Sequence, residues 1–545
     1  MATSDRKRRS RTSDKRIRLH FLGATRTVTG SLHFFEISEN EKTVRFFLDA
    51  GLNQESPSTN FQNRLPSGIK ASDVDFGILS HAHIDHTGLL PKLVKDGFRG
   101  KVYATPATRD LVGLLLPDCG YLQEQEAARL TRKALKKADS ADGGTADGKN
   151  PRASANAASA PTRKPARNTK TKNAQSAKNA AAKGSASSAP KVVHPLYTED
   201  DAKAALSHIE AVEYGTSVHV SDAVVLRFSH ASHILGAAIV SLEIGSGSKK
   251  RRVVFTGDLG RPQMPILKDV TAVKQADIVI SEGTYGDKLH EKRNRQNELA
   301  AIINSAYERA KQPDPKFGHG VILIPAFAVG RVQAVLYDLR ILMASGKIPN
   351  IPVFVDSPMA IKATHIYRHY TALYNKQAAK LFAEEGDLFT TPRYAELLDW
   401  KQSEALDKPA AEPIIVVGSS GMASGGRIMR HLENKLPGKQ NTVVFIGFQG
   451  HGTLGRQLVT PEVEEVKVAG KAVRVRATVE YLRDYSGHAD YEDILRWLAA
   501  FTQKPQKLFL VHGEEESLES LKSRIEDRLR WDVVIPRNRD YIDLS

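Results

Sequence analysis

Three histidines and one aspartate fall within six consecutive positions of the stretch HAHIDHTG, residues 81–88. Imidazole and carboxylate groups are ligands of catalytic zinc, which keeps one further position open for water. His81 and His83 lie on one side of an extended chain and can face one ion. Asp85 and His86 can then face a neighbouring ion, as in two-metal hydrolases. A polar turn with chance histidines is the alternative, and so dense a cluster argues against it. The stretch predicts half of a dinuclear site.

Two later strand-to-loop junctions offer the remaining groups. HASHILG contributes His233, and FTGDLG contributes Asp258, a carboxylate that can bridge two ions. Each residue alone is more often an ordinary polar side chain than a ligand, but together with the first cluster they form a ligand set. Asp49 in LDAG either accepts the second ring N–H of a ligating histidine or makes a turn.

Length and cysteine usage limit the classes of protein. The chain has 545 residues, of which 41% are apolar, enough for two or three domains with a large core. Cys119 is the single cysteine, which excludes a disulfide framework and favours a reducing, cytoplasmic compartment. The N-terminal stretch lacks the apolar core of a secretory signal, and no stretch approaches 18 consecutive apolar residues, so no membrane association is expected.

The net charge of +16 is concentrated in two segments. Residues 1–18 hold eight Lys or Arg against two Asp, and residues 131–193 hold fourteen against three Asp. Such segments can bind a polyanion through counterion release, or they can simply add solubility. Their composition predicts a basic disordered tail at 1–16 and a disordered insert at 138–190, rich in Ala, Ser and Lys.

The rest of the chain reads as an α/β protein. Residues 17–48 predict three short strands, and order resumes after the insert with a helix that Thr198 caps. From about residue 287 strands and helices alternate, which is typical of βαβ units in a parallel sheet. No internal repeat is present.

The ordered series Asp49, HxHxDH at 81–86, His233 and Asp258 resembles the metallo-β-lactamase superfamily. That resemblance implies an αββα sandwich with the dinuclear site at its edge. Further motifs are similar to the β-CASP branch of nucleic-acid-cutting enzymes, in which an α/β domain is inserted into the sandwich; they are GATRTVTGS, SEGTYG, PAFAVGR, VDSPMA, SSGMASGGR, GHGTLGR, YSGHAD and VHGE. The resemblance covers nearly the whole chain from residue 17. It implies a lactamase-type domain at 17–286 and 487–545 around a β-CASP domain at 287–486.

The resemblance also implies roles for individual residues. One zinc is expected to bind His81, His83, His233 and Asp258, and the other Asp85, His86, Asp258 and His512, with Asp85 also counted as catalytic and Asp49 supporting a ligand. His488 is expected to be the general acid, held by Glu282. The carboxylate has a physical purpose, because two nearby dications would otherwise pull the proton from the imidazole.

A histidine at the position of His512 is typical of RNA-directed members of the branch. The expected activity is therefore a two-zinc endonuclease on single-stranded RNA, leaving 5′-phosphate and 3′-hydroxyl ends. A 5′→3′ exoribonuclease of RNase J type, a non-catalytic RNA-processing scaffold and a small-molecule esterase remain alternatives. The sequence also leaves a homodimer open.

Candidate substrate contacts are weaker. Arg331, Ser419, Ser420 and Ser486 are predicted to contact phosphate, although tight turns explain the glycine-rich stretches around them equally well. Tyr285 and Phe327 can stack on bases, but core packing is the favoured interpretation. Ser232 stands where the family more often has glycine, which leaves the backbone beside His233 open.

Overall fold

The computed structural model describes residues 16–39, 42–53, 64–142, 192–245, 250–291 and 294–544. Most of the predicted basic tail and most of the predicted insert lie outside these residues. Two described ends differ from the prediction. Arg16, assigned to the tail, belongs to the first strand and forms an ion pair with Asp543 at 2.7 Å. The helix that precedes the insert continues to Asp142, past the predicted start of the insert at 138.

The described strands are β1 (Arg16–Gly23), β2 (Leu32–Glu39), β3 (Lys42–Leu48), β4 (Phe76–Ile78), β5 (Lys101–Ala104), β6 (Ile209–Ala211), β7 (Ser217–Ser221), β8 (Val224–His230), β9 (Ala238–Ile244), β10 (Arg251–Phe255), β11 (Ile278–Glu282), β12 (Val321–Pro325), β13 (Val353–Val355), β14 (Tyr394–Glu396), β15 (Ile414–Gly418), β16 (Thr442–Ile446), β17 (Glu465–Val468), β18 (Lys471–Arg474), β19 (Thr478–Leu482), β20 (Lys507–Val511), β21 (Val533–Val534) and β22 (Tyr541–Asp543).

The described helices are α1 (Ile84–Thr87), α2 (Leu90–Lys95), α3 (Pro106–Asp142), α4 (Glu199–Leu206), α5 (Arg295–Ala310), α6 (Arg331–Ala344), α7 (Pro358–His369), α8 (Lys376–Glu385), α9 (Trp400–Ala405), α10 (Ile428–Lys435), α11 (Leu454–Leu458), α12 (Tyr491–Leu498) and α13 (Glu515–Leu529). Thr198 caps α4 as predicted, because its side chain accepts the backbone N–H of Asp201 at 3.1 Å. Among these helices, none combines the length and the apolar run needed to cross a bilayer.

Two seven-stranded sheets form a sandwich. Their strand orders are β22-β1-β2-β3-β4-β5-β6 and β21-β20-β11-β10-β9-β8-β7. Apolar residues lie on both faces of these strands. Those on the inner faces of the two sheets bury each other, and those on the outer faces pack beneath the helices. Phe21 of the first sheet meets Phe509 of the second, with ring centroids 5.0 Å apart. Helices cover the outer faces, and this confirms the predicted αββα class.

A third sheet is entirely parallel, with the order β14-β13-β15-β12-β16-β19. The chain leaves the second sandwich sheet after β11 and returns at β20, which pairs with β11 in parallel. The parallel sheet is therefore inserted into the sandwich, as the predicted fold class requires, and its strands lie between Val321 and Leu482.

The three sheets belong to one compact unit, formed by the residues up to Gly120 and from Tyr197 onward. The residues Tyr121–Leu196 form a second unit, which holds the C-terminal part of α3. Within that second unit, the hydroxyl of Thr131 accepts the backbone N–H of Val193 at 3.0 Å.

Candidate metal centre

The ends of several strands meet at one edge of the sandwich and carry the predicted ligands. Asp258 follows β10, Glu282 ends β11 and His512 follows β20, and these three strands are neighbours running in the same direction. His233 follows β8 at the same edge. The facing sheet contributes the loop after β4 together with α1, which carry the HxHxDH stretch.

The first ligand cluster has three imidazoles and one carboxylate. His83 Nδ1 lies 3.1 Å from His81 Nε2 and 3.2 Å from His233 Nε2. Asp258 Oδ2 lies 3.5 Å from His81 Nε2 and 3.6 Å from His233 Nε2. The four ligand atoms lie within 4.8 Å of one another, as close as donors around a single ion must be.

The second cluster holds two imidazoles and one carboxylate. His86 Nε2 and His512 Nε2 are 3.0 Å apart, and Asp85 Oδ2 lies 3.5 Å from His512 Nε2. The structure therefore brings together all the residues predicted as ligands, in the two groups that the resemblance implies.

Asp258 connects the two clusters. While Oδ2 faces the first, Oδ1 lies 3.3 Å from His86 Nε2 and 3.7 Å from His512 Nε2. Burial on its own would raise the pKa of Asp258, but the imidazoles of His512, His86 and His81 hold that pKa well below its ordinary value. The carboxylate is thus ionised, and its buried Oδ1 accepts no hydrogen bond from the described part of the chain.

The donor set fits divalent metal ions. Burial lowers the pKa of His83 to about 4 and holds the pKa values of His81 and His233 well below normal, so these rings are neutral, the form that binds a metal. Ring nitrogens that face one another at about 3 Å, beside a carboxylate oxygen with no hydrogen bond from the described chain, are groups that a cation would satisfy. Nitrogen and oxygen donors of this kind suit zinc.

Two contacts outside the clusters orient the ligands. The ring nitrogen Nδ1 of His86 lies 2.6 Å from Asp49 Oδ2, which leaves Nε2 to face the cluster. Asp49 also accepts hydrogen bonds from the backbone and hydroxyl of Ser80 and from the hydroxyl of Ser31. On the other side, Thr284 Oγ1 lies 3.1 Å from His512 Nδ1. Thr284 is not among the residues predicted from the sequence, although its place in SEGTYG, two residues after Glu282, is a usable signal.

The backbone around the ligands has a left-handed conformation at three non-glycine residues. The φ angles are 58° at Asp49, 64° at Ser232 and 50° at His512. Each such residue costs about 1–3 kcal/mol and persists only where its surroundings fix it. At His512 the loop GATRTVTGS does this, because Ala24 O accepts the backbone N–H of His512 at 2.6 Å.

Beside the clusters, the fully buried Glu282 pairs with the partly exposed His488. His488 Nδ1 lies 3.1 Å from Glu282 Oε2 and 4.0 Å from Asp258 Oδ2. Glu282 also accepts the backbone N–H of Leu259 at 2.5 Å and that of Thr284 at 3.3 Å, so the carboxylate is held from three sides. With Nδ1 used by Glu282, His488 presents Nε2 as its remaining ring nitrogen.

A cavity of about 380 Å³ opens in front of these residues. Arg331 and Ser486 line it, whereas Ser419 and Ser420 do not. Burial lowers the pKa of Arg331 to about 10, and no carboxylate of the described chain pairs with it. The hydroxyl of Ser419 instead contacts that of Ser357 at 2.6 Å, and the hydroxyl of Ser420 contacts that of Ser424 at 3.1 Å.

The two aromatic candidates differ in exposure. Tyr285 is only 8% exposed although it also lines the cavity, and its ring packs edge-on against His488 with centroids 5.9 Å apart. Phe327 is 37% exposed and lines the cavity, which does not agree with the core-packing role that the sequence favoured.

Three features together define a hydrolase of the metallo-β-lactamase type: the sandwich, the inserted parallel sheet, and the cluster of nitrogen and oxygen ligands. Comparison with known families gives the branch. A Beta-Casp domain model matches residues 332–458, and a model described as a Zn-dependent metallo-hydrolase RNA specificity domain matches residues 472–536.

Whole-chain relatives agree with these matches. The chain is 31% identical over 501 residues to ribonuclease TTHA0252 of Thermus thermophilus, covering 92% of this chain and 94% of the relative. It is 26% identical to transcription termination factor FttA of Methanocaldococcus jannaschii, covering 96% of this chain and 71% of the relative, and 26% identical to FttA of Pyrococcus abyssi, with 97% and 71% covered. The chain belongs to the β-CASP branch of the metallo-β-lactamase superfamily, and it is a hydrolytic nuclease.

Proposed function

We propose that this protein is a zinc-dependent endoribonuclease that cuts single-stranded RNA and leaves 5′-phosphate and 3′-hydroxyl ends. The observation that carries the proposal is the Glu282–His488 pair, in which His488 Nδ1 lies 4.0 Å from the Asp258 carboxylate between the two clusters. A phosphodiester needs a proton for its leaving oxygen as well as an activated nucleophile, and a general acid beside a metal centre supplies it.

The ligands would hold two zinc ions, one in each cluster, with Asp258 shared between them. When bound, the ions supply Lewis acidity towards the phosphoryl oxygens and activate a water. Asp49 and Thr284 hold the rings of His86 and His512 so that Nε2 of each faces its cluster. Asp85 completes the second cluster with a negative charge.

The chain's own residues would carry the remaining steps. His488 donates a proton from Nε2 to the 3′ oxygen as the bond to phosphorus breaks, while Glu282 keeps the ring oriented through Nδ1. Arg331 and Ser486 line the same cavity and would hold the phosphate oxygens, Arg331 with a guanidinium that no carboxylate of the described chain neutralises. Ser419 and Ser420 do not line the cavity. Their effect on the substrate would be indirect, through the position of the loop that follows them and reaches the cavity at Met422.

RNA as the substrate is supported by the match to an RNA specificity domain and by the relative named as a ribonuclease. The two basic segments, which lie largely outside the described residues, would add sequence-independent attraction for the RNA backbone.

A circular single-stranded RNA with an internal label tests the proposal directly. We expect the purified protein to linearise it, a chelator to stop the reaction and added zinc to restore it. Asp258→Ala and His512→Ala variants should lose the activity, while Asp532→Ala, which removes an exposed carboxylate paired with Lys507, should retain it. Cleavage of linear RNA from its 5′ end with no attack on the circle would instead indicate an exonuclease.

A further inference from the structure

Three neighbouring strands of the parallel sheet end at the cavity. In the order β15-β12-β16 they continue into the residues Met422, Phe327 and Phe448, and all three side chains line the cavity. The carboxyl ends of parallel strands are where α/β sheets bind ligands. We refer to Phe327 and Phe448, together with the neighbouring Met422, as the aromatic rim.

Two glycines lie directly against the residues of the aromatic rim, and at Gly421 a side chain would clash with Phe327. A Cβ on Gly421 would come within 2.8 Å of the Phe327 backbone nitrogen and 3.0 Å of its ring. A Cβ on Gly450 would lie 3.4 Å from the sulfur of Met422 and 3.9 Å from the ring of Phe448. The backbone at Gly421 and Gly450 thus packs against the rim residues, yet Phe327 and Phe448 each remain 37% exposed. Large aromatic side chains that stay exposed in a cleft commonly serve binding.

A cation stands over the rim. The Lys288 ammonium lies 5.4 Å from the ring centroid of Phe448 and 5.2 Å from that of Tyr285. The same cavity is lined by Arg331 and by His83, His233 and His488 of the candidate metal centre. A ligand that fits this arrangement has a flat apolar face next to a negatively charged group, and a nucleotide is such a ligand.

We propose that the aromatic rim binds one unpaired nucleobase next to the scissile phosphate, so that stacking of this base selects single-stranded RNA. The inference rests on the proposed ribonuclease function. A base in a duplex has both faces covered by its neighbours and cannot reach an aromatic side chain without being unstacked. Stacking of a base on an aromatic ring is sequence-tolerant, so this subsite would select an unpaired nucleotide rather than a particular base.

Abasic RNA gives a test that needs no variant. A single-stranded oligonucleotide that the protein cuts at one position is compared with copies in which one base near the cut has been removed. We expect removal of the stacked base to raise KM by roughly 5- to 150-fold, and removal of bases several nucleotides away to have little effect. Equal KM values for all the abasic copies would overturn the proposal.

Variants then assign the effect to the rim. Phe448→Leu and Phe327→Leu keep the apolar character but remove the ring. We expect them to raise KM on the intact oligonucleotide, to leave bound metal unchanged, and to match the wild type on the copy that lacks the stacked base. Tyr541→Leu is the matched control, because Tyr541 is 57% exposed and lies outside the cavity lining.

The outcomes separate the two proposals. If the wild type cuts no RNA, the proposed function fails. If the wild type cuts RNA and the rim variants cut it with unchanged KM, only the inference about the rim fails. If the rim variants lose activity equally on intact and abasic RNA, the rim supports the fold of the cleft and the inference is likewise overturned.

Discussion

Glu282 Oε2 lies 3.1 Å from His488 Nδ1, and the same carboxylate accepts the backbone N–H groups of Leu259 and Thr284. Glu282 ends β11, whereas His488 stands in the loop just before α12, after the inserted sheet. The contact thus joins two segments of the chain that the whole inserted domain separates, and it fixes which nitrogen of His488 can face a substrate.

Replacing Glu282 with Gln tests this contact. The amide keeps the shape of the side chain but replaces the carboxylate that faces His488 Nδ1, and so weakens the contact that holds the ring with Nε2 free for the substrate. We expect kcat on RNA to fall by about 10²- to 10⁴-fold, with KM and bound metal little changed. Steady-state kinetics together with metal analysis check this, with Glu384→Gln, on an exposed helix face, as the control. A kcat within twofold of the wild type would show that the pair is structural.

Asp49 is expected to act on metal affinity rather than on catalysis directly. Asp49→Asn disturbs the 2.6 Å contact that orients His86, so we expect metal affinity to fall by about 10- to 100-fold. Competition with a chromophoric chelator measures it. Ser31→Ala, which removes only the 3.2 Å hydrogen bond to Asp49, should change affinity far less. Equal affinities for both variants and the wild type would contradict the role given to Asp49.

Local patterns predicted much of this centre. His81, His83, Asp85 and His86 are close in sequence, so a short loop and one helical turn bring them together whatever the rest of the chain does. The α/β class was predicted in the same way, from the change between strand-rich segments and segments in which strands and helices alternate. Both signals are short-range. Two later strand-to-loop junctions suggested His233 and Asp258, and the family resemblance supplied His512, Glu282 and His488.

Features that depend on side-chain direction could not be read from the sequence. His83 faces its cluster through Nδ1 while His81 and His233 use Nε2, a choice that ring rotation inside the folded loop decides. Ser419 was predicted to contact phosphate, but its hydroxyl turns to Ser357 on a neighbouring segment. Phe448 carried no local signal, because its position in the cavity depends on the order of strands in the inserted sheet.

The structure shows the backbone conformation of Ser232, which stands where the family more often has glycine. Ser232 adopts a φ of 64°, the left-handed region that favours glycine, and its buried hydroxyl has no hydrogen-bond partner among the described residues. We therefore expect Ser232→Gly to raise the free energy of unfolding by about 1 kcal/mol. Urea denaturation of metal-free protein measures the change.

A matched variant separates the two contributions at Ser232. Ser232→Ala removes the unsatisfied hydroxyl but keeps the backbone strain, so it should gain less than the glycine variant. A glycine variant less stable than the wild type would mean that the surrounding chain, which approaches closely at Gly260, favours the serine.

His33 is expected to make the fold sensitive to acid. It is fully buried between Phe21 and Phe255, with ring centroids 5.6 and 5.3 Å away, and neither of its ring nitrogens has a hydrogen-bond partner within the described chain. Burial, with smaller contributions from His86 and His512, lowers the pKa of His33 to about 3. The folded state therefore keeps this ring neutral at a pH where the unfolded chain, with a pKa near 6.5, takes up a proton.

The sign of the effect follows from that difference. As pH falls below about 6.5, only the unfolded state gains the proton. The contribution of His33 therefore lowers the free energy of unfolding progressively until about pH 3. Between pH 7.5 and 5.5 this amounts to about 1.4 kcal/mol. We expect His33→Leu to remove that part of the pH dependence and to be more stable than the wild type at pH 5.5. Urea unfolding of both proteins at the two pH values measures it, and an unchanged slope in the variant would show that His33 is protonated or hydrated in the fold.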